Sequence, residues 1–293
     1  MIPKNNGVPG LISVLVLLTF FLASCQTVAT PPIDDAVKAG DISKVQLLIQ
    51  SGADVNVATA DGNSPLHSAA LNGSLEIAGL LLVRGAHINA RNRRGNTPLF
   101  LATENGNIDL VRFLLSKKAD FDVKNLAGDT PLHSASRKGN IKVAQVLILK
   151  GADVNLANKK QATPLHLAAG KGHSGLVNLL LAKGAKFNAL DRYKKQPLHW
   201  AAGKGYADVV AALLNKGAKA NALDQFGLTP LNLAALEDRL DAAKVLIANG
   251  ADINPKGSSP LFSAARKGYA DLARLLLEHG AKVDARKKAG PTP

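Results

Sequence analysis

Four histidines recur at one place in a repeating pattern, and histidine is the residue type best suited to bind a metal or move a proton near neutral pH. They are His67, His133, His166 and His199, and they are separated by 33 residues or by twice that number. If each belongs to one helix of a stack, neighbouring histidines lie at least about 8–10 Å apart. A zinc ion needs nitrogens at about 2.0–2.1 Å, so these residues cannot share one ion. We therefore expect no metal site and a structural role for these four residues, which we call the row histidines.

Other patterns that support catalysis are missing from the sequence. Asp and Glu residues do not form recurring close pairs, and there is neither a G-x-S-x-G nucleophile motif nor a phosphate-binding P-loop. The repeats use nearly every residue after position 30, which leaves no separate segment for a catalytic domain. The sequence therefore predicts no catalytic residues, no cofactor and no enzyme.

Two other polar sets are suggestive of binding. Asparagines recur along the chain from Asn56 to Asn254, and they could form a binding ladder. We favour the alternative that their amides satisfy backbone groups of turns. The remaining histidines, His87, His173 and His279, fall at turn-like positions, where we expect them to be solvated.

The stretch that organises the chain is Thr163–Ala169, TPLHLAA, because close copies of it recur. The copies begin at Ser64, Thr97, Thr130, Gln196, Thr229 and Ser259, spaced by 33 residues except for one step of 30. A fixed period of this size indicates a solenoid of stacked repeats. Thr163 can cap a helix with its hydroxyl, and Pro164 suits the first helical position, so each copy predicts a helix start.

A second helix follows in each unit. A glycine suited to positive φ closes the first helix, and Asp41, Ser74, Asn107 and Asn140 can cap the second. The second helix carries apolar residues at helical spacing and ends in Gly-Ala. This pattern resembles the ankyrin repeat. The resemblance implies an all-α repeat solenoid, with two antiparallel helices and a β-hairpin loop per unit and with each row histidine hydrogen-bonded to the neighbouring unit.

The resemblance covers residues 31–293 and implies about eight units. They start near residues 31, 64, 97, 130, 163, 196, 229 and 259. In the first unit, we expect Asp34 and Asp35 to give a terminal helix a wetted outer face. Lys118 and Asp238 stand where other units have glycine, and a left-handed residue there costs roughly 1 kcal/mol.

Two features of the last units depart from the period. The connector Pro255–Ser258 is three residues short, which predicts a stunted hairpin and a local break in the rim of the groove. Gly290–Pro293 matches the opening of a further unit. A natural end and a fragment are both compatible with that match.

The first 24 residues are of a different kind. Leu11–Leu22 is a twelve-residue apolar run, too short to span a bilayer comfortably and typical of a secretory signal. Leu22–Cys25, LASC, resembles the lipobox of bacterial lipoproteins. That resemblance implies a signal peptide at 1–24, acylation of Cys25 and a short tether at 25–30. A chance cysteine beside a signal peptide, or an uncleaved anchor, is the alternative.

Positive charge is concentrated where ankyrin-repeat proteins contact partners, at the hairpin tips and the end of the first helix. Lysine and arginine number 36 against 22 acidic residues, for a net charge of +14. The predicted partner-binding residues are Arg137, Lys138, Lys159, Lys160, Lys171, Arg192, Tyr193, Lys195, Trp200, Lys204 and Phe226. Trp200 could instead face the core, since Leu167 and Leu233 occupy its position in other units. An ordinary solvated, lysine-rich face is the alternative to a binding surface.

Together these features predict a lipid-anchored interaction module that docks a protein partner with an acidic surface. We expect a monomer held at the bacterial envelope, with Gln26 favouring the outer membrane and the periplasmic face. Binding to an anionic polymer or lipid head group, and regulation of a periplasmic enzyme, are alternatives. Nucleic acid is not expected, because an export signal argues against it and only 4% of residues are aromatic and able to stack on bases.

Overall fold

Residues 31–283 of the computed structural model are described here, and they form sixteen helices in eight consecutive pairs. The helices are α1 Pro32–Ala39, α2 Ile42–Gln50, α3 Pro65–Asn72, α4 Leu75–Val83, α5 Pro98–Glu104, α6 Ile108–Ser116, α7 Pro131–Lys138, α8 Ile141–Leu149, α9 Pro164–Gly170, α10 Ser174–Ala182, α11 Pro197–Lys204, α12 Ala207–Asn215, α13 Pro230–Leu236, α14 Leu240–Ala248, α15 Pro260–Lys267 and α16 Ala270–Glu278. Each pair is one unit, and the whole is the expected all-α solenoid.

The first helix of each unit starts at a proline because that position needs no N–H donor. The residue before it has extended backbone, as at Thr163 with φ −90° and ψ 167°. The backbone N–H of Thr163 donates to Nδ1 of His166 at 3.2 Å, which satisfies a group that would otherwise be buried without a partner. The repeated Thr-Pro-x-His sequence is thus a helix-start signal.

Small residues let the first helices stack closely. Ala168 and Ala201 are fully buried, and so are the leucines that precede them, Leu165 and Leu198. Successive first helices lie closer to one another than successive second helices do. The array therefore curves with its first helices on the inner, concave side.

Six five-residue turns, at 59–63, 92–96, 125–129, 158–162, 191–195 and 224–228, connect successive units beside the first helices, and we call them the finger loops. Each is closed on itself, as by the bond from Asp191 N to Lys195 O at 2.9 Å. One backbone bond links each finger loop to the next, as from Arg192 N to Lys160 O at 3.0 Å. No residue within 31–283 is assigned to a strand, so the implied β-hairpin is reduced to its turn.

The short connector Pro255–Ser258 stands outside this ladder of finger loops. The last inter-finger bond runs from Gln225 N to Tyr193 O at 2.9 Å. Within the described residues, no such backbone bond joins Pro255–Ser258 to the preceding loop. The rim formed by the finger loops therefore ends at the loop 224–228.

The second helices are capped differently from the prediction. Asp41 accepts a backbone hydrogen bond with its side chain, but Ser74, Asn107 and Asn140 make no capping bond. The Asn107 amide instead donates to the carbonyl of Ala70 in the preceding unit, at 3.2 Å. The position before a second helix lies against the neighbouring unit, so its side chain joins units where the sequence alone indicated a local cap.

Asp34 does not lie on a wetted face. It occupies the position of the row histidines, is fully buried, and accepts a hydrogen bond from the Ser68 hydroxyl of the second unit. Its other oxygen lies 2.7 Å from Lys38 Nζ, while Asp35 is exposed as expected. The prediction was wrong for Asp34 because the second unit stacks on this end of α1.

Between residues 31 and 283, four residues other than glycine have positive φ. Lys118 (65°) and Asp238 (53°) were predicted from the missing glycines, whereas Gln161 (60°) and Lys194 (56°) were not. The last two stand in adjacent finger loops, where the equivalent residues of the neighbouring loops are glycines such as Gly128. Both loops border the concave face.

None of the helices within 31–283 combines the length and the apolar character needed to cross a membrane. The predicted signal peptide, the tether with Cys25 and the segment 284–293 lie outside the described residues.

Candidate partner-binding groove

A cavity of about 680 Å³ on the concave side spans the fourth to seventh units. We call it the central groove. It is lined by Lys160, Gly170, Lys171, Asp191, Arg192, Tyr193, Lys195, His199, Trp200, Gly203, Lys204, Leu233, Leu236 and Glu237. The finger loops supply one wall, and the ends of α9, α11 and α13 supply the other.

Trp200 is a wall of this groove, which settles the choice between core and surface. Its side chain is partly buried, with Nε1 donating to Asp191 Oδ2 at 2.9 Å. Its ring meets the His166 ring edge-on, with centroids 5.6 Å apart. A Cβ added at Gly170 would lie 2.6 Å from Cε3 of the indole, so the ring packs directly on that backbone. Trp200 is therefore held in one orientation with part of its ring facing the groove.

Asp191 couples a finger loop to α11. Its Oδ1 accepts from the backbone N–H groups of Tyr193 and Lys195 at 2.8 and 2.9 Å, which shapes the turn. Because Oδ1 is occupied in this way, Oδ2 is left to accept the Trp200 bond. The carboxylate is thus used inside the fold and does not present an open anionic site in the groove.

Two aromatic side chains stack at the tips of adjacent finger loops. The rings of Tyr193 and Phe226 are nearly parallel, at 27°, with centroids 6.5 Å apart. The Arg192 guanidinium lies 5.0 Å from the Tyr193 ring centroid, a cation–π contact. Tyr193 is 41% exposed and Phe226 is 66% exposed, so this pair offers apolar surface on the rim.

Four cations around the groove have no acidic partner. Within residues 31–283 no carboxylate oxygen lies within 4.0 Å of the charged groups of Lys160, Lys171, Arg192 or Lys204. All four are exposed. Lys171 directly follows α9, and Lys204 is the last residue of α11. At these positions a cation also compensates the negative end of the helix dipole. Their charge is otherwise available to a ligand.

The remaining predicted residues are placed elsewhere or are already paired. Arg137 forms an ion pair with Asp129 and lines a neighbouring cavity of about 340 Å³. Lys138 Nζ is 3.9 Å from Glu104, and Lys195 Nζ is 4.0 Å from the buried Asp224. Lys159, Lys138 and Phe226 do not line the central groove, which brings together the other predicted residues from Lys160 to Lys204.

Sequence reasoning missed the apolar floor of the groove. Gly203 removes a side chain at the position before Lys204, and Leu233 and Leu236 of the next unit lie behind it. A Cβ at Gly203 would meet only the Leu233 Cβ, at 3.5 Å, so packing does not require glycine there. The sequence did contain one signal, because the fifth and sixth units have Gly170 and Gly203 at a position where the neighbouring units have Arg137 and Leu236.

The row histidines are structural, as the resemblance implied. Nε2 of His67, His133, His166 and His199 lies 3.0–3.1 Å from a carbonyl oxygen of the connection that leads to the next unit. Nδ1 accepts from the N–H of the cap residue, which places the hydrogen on Nε2. Burial lowers the pKa of each ring, that of His133 to about 4. Within 31–283 no group of three or more metal-binding side chains is close enough to hold an ion.

The asparagine series and His173 also join units. Asn56 donates from Nδ2 to Gly85 O at 3.1 Å and accepts at Oδ1 from His87 N at 2.8 Å. Asn155, Asn221 and Asn254 make the same two bonds to the following unit, so the binding-ladder alternative loses its support. His173, predicted to be solvated, lies with Nε2 3.2 Å from Arg137 O and is partly buried.

Comparison with known proteins agrees with this architecture. A family model described as ankyrin repeats, in three copies, matches residues 33–125, 85–158, 132–224 and 198–287. The crystal structure of the human ASB11 ankyrin repeat domain is similar, with a TM-score of 0.70 at 28% identity, over 76% of this chain and 99% of that one. No curated protein matches the chain. Ankyrin repeats generally bind protein partners. On these matches, the chain belongs to the ankyrin-repeat family.

Proposed function

We propose that this protein is a membrane-tethered interaction module that docks an acidic protein surface on its central groove. The observation that carries the proposal is the charge of the groove. Five cationic side chains line it against two carboxylates, and one of those, Asp191, is occupied by Trp200 and its own turn. An acidic partner is the chemistry that complements this surface.

The groove also has the composition of an energetic hot spot. Tyrosine, tryptophan and arginine are the residues most enriched at such sites, and Trp200, Tyr193 and Arg192 lie together here. Cations on the rim should accelerate encounter with an acidic partner, and salt should weaken that effect. Partner association should therefore be fast at low ionic strength and slow at high ionic strength.

Tethering rests on the sequence outside the described residues. Leu22–Cys25 supports acylation of Cys25, the only cysteine in the chain. The tether from Gln26 to the first unit then reaches at most about 20 Å, so the array would work close to a membrane surface. Gln26 supports the outer membrane and the periplasmic side.

The side chains that could act as catalysts are already hydrogen-bonded inside the fold, which fits a scaffold with no chemistry of its own. The four row histidines spend both ring nitrogens on backbone groups, and Asp191 is held by three donors. We therefore assign the groove to binding. A partner that is itself an enzyme would make the module a regulator.

Crosslinking in native membranes, followed by pull-down, tests the docking proposal. The test variant is Lys171→Glu with Lys204→Glu. The control is Lys183→Glu with Lys216→Glu, because these exposed lysines follow the second helices of the same two units and lie outside the groove. We expect the groove variant to lose a stoichiometric protein partner that the control retains. Equal recovery by both variants, or recovery of anionic polymer or lipid alone, would contradict the proposal.

Growth with labelled palmitate tests the tether. The wild type should incorporate label and stay in the membrane fraction, while Cys25→Ser should be unlabelled and lose stable association. One acyl chain binds membranes only marginally, so stable association indicates more than one. Equal labelling of both proteins would refute lipidation.

A further inference from the structure

We propose that the occupant of the central groove is a short acidic peptide segment that inserts one apolar side chain beside Trp200. This inference rests on the proposed docking function and names its ligand. It combines two observations: an apolar notch in the floor and unpaired cations on both sides of it.

The notch is apolar because the polar atom of Trp200 is already used. With Nε1 bound to Asp191, the indole contributes only ring surface to the groove. Leu233 and Leu236, both partly exposed, add apolar surface to the same groove. A partner side chain placed between them would remove apolar surface of both molecules from water.

Gly203 keeps the notch open. It lies within α11 with no positive φ, and a Cβ there would make only an ordinary contact with Leu233. Glycine disfavours a helix relative to alanine, so its presence is not explained by local structure. Gly170, one unit earlier, differs because Trp200 packs against its bare backbone. The two glycines thus have separate roles, one seating the indole and the other leaving space.

The unpaired cations flank this notch. Lys160 and Arg192 stand on the finger loops, and Lys171 and Lys204 stand at the helix ends. Stacking on Tyr193 orients the Arg192 guanidinium without using its N–H donors. Carboxylates on either side of an inserted apolar residue would therefore meet cations on both walls.

The notch distinguishes a peptide from an anionic polymer. Polyphosphate and sugar phosphates could pair with the four cations, but they carry no apolar group for the space between Trp200 and Leu233. The groove also continues past Trp200 into the neighbouring cavity, which shares Lys160, Lys171 and Gly170 with it. At about 3.3 Å per residue, an extended segment of six residues would cover about 20 Å, the span of two to three stacked units.

Trp200 is the only tryptophan in the chain, so its fluorescence reports on this groove alone. The purified full chain in nonionic detergent would be titrated with a capped peptide in which one leucine is flanked on each side by glycine and two glutamates. Two control peptides replace the leucine by glycine or the glutamates by glutamines. Tripolyphosphate serves as the polymer probe.

We expect saturable change of the Trp200 emission with the leucine peptide, and affinity at least tenfold lower for each control peptide. Lys171→Gln with Lys204→Gln should also weaken the leucine peptide at least tenfold, while Lys183→Gln with Lys216→Gln should stay within twofold of wild type. Equal binding of the leucine and glycine peptides, or saturation by tripolyphosphate only, would overturn the inference. No saturable change with any peptide, alongside pull-down of a protein that depends on Lys171 and Lys204, would overturn the inference and leave docking intact. If the pull-down also does not depend on Lys171 and Lys204, both the inference and the docking proposal would be overturned.

Discussion

Replacing His133 by asparagine should weaken the dependence of stability on pH. The His133 ring is fully buried, with Nε2 3.1 Å from Ala162 O and Nδ1 3.2 Å from Thr130 N. Only the neutral ring can accept at Nδ1 while donating from Nε2. Its pKa is lowered to about 4, mainly by burial and with a smaller contribution from Arg137, while Asp129 and the hydrogen bond to Ala162 act in the opposite direction.

The size of the effect follows from that pKa. Since the folded-state pKa lies below the unfolded value of 6.5, the unfolded chain binds more protons between pH 6.5 and about 4. Stability contributed by His133 is therefore full above pH 6.5 and is lost as the pH falls through that window. Between pH 7 and pH 5 the loss is about 2 kcal/mol for a shift of this size. His67, His166 and His199, also with pKa values lowered by burial, act in the same direction.

Asparagine is a suitable replacement because the seventh unit already uses it. Asn232 accepts from Thr229 N at 2.9 Å and donates toward Ser258 O at 3.4 Å, so an amide can occupy the position. Its side chain does not titrate. His133→Asn should therefore destabilise the array modestly at pH 7 and lose less stability than wild type on acidification.

Urea unfolding followed by circular dichroism, at pH 7 and pH 5, measures the effect. The free energy of unfolding of wild type should fall by about 2 kcal/mol more than that of His133→Asn. His87→Asn, at an exposed position, should leave the wild-type difference unchanged. An identical fall in wild type and His133→Asn would refute the reasoning, because His133 would then not be held neutral by burial.

Three further predictions concern the backbone. Gly170→Ala should destabilise the array by about 1–2 kcal/mol and shift the Trp200 emission, because the new Cβ would lie 2.6 Å from the indole. The control Gly203→Ala should change neither the stability nor the emission, because its nearest contact is at 3.5 Å. Lys118→Gly should raise stability by about 1 kcal/mol in thermal melts, since the residue has φ 65°, and an unchanged or lower midpoint would contradict the stated strain. Lys194→Gly should stabilise similarly, because φ is 56° and Gly227 serves the equivalent turn, and a destabilised variant would show that the lysine side chain supports its finger loop.

Much of the fold could be read from the chain because its signals are local and repeated. Thr-Pro at a helix start, glycine at positive φ after it and apolar residues at helical spacing act within a few residues of one another. Seven copies then place the units in order, after a first unit that begins Pro31-Pro32-Ile33-Asp34. The role of His166 was implied by the ankyrin resemblance, and the structure agrees: Nδ1 accepts from Thr163 N, and Nε2 bonds to Lys195 O in the loop that leads to the next unit.

Predictions failed where a side chain has neighbours from another unit. Asn107 was expected to cap its own helix but bonds to Ala70, and Asp34 was expected in water but is covered by the second unit. Lys194 takes a left-handed turn because its finger loop must match the ladder of its neighbours. Nothing within a few residues of these positions indicates such contacts.

The candidate groove divides in the same way. The residue types could be read from the sequence: a basic concave face, aromatic residues in the fifth and sixth units, and a repeat geometry that leaves the first helices and the finger loops facing one side. Which charges remain unpaired was decided only by packing, which joins Arg137 to Asp129 and leaves Lys171 and Lys204 free of carboxylates within 31–283. The notch beside Trp200 likewise exists because units stacked at short range place Asp191, Gly170 and Leu233 around one ring. Local chemistry repeats along a sequence, but distances between units arise only when the chain stacks.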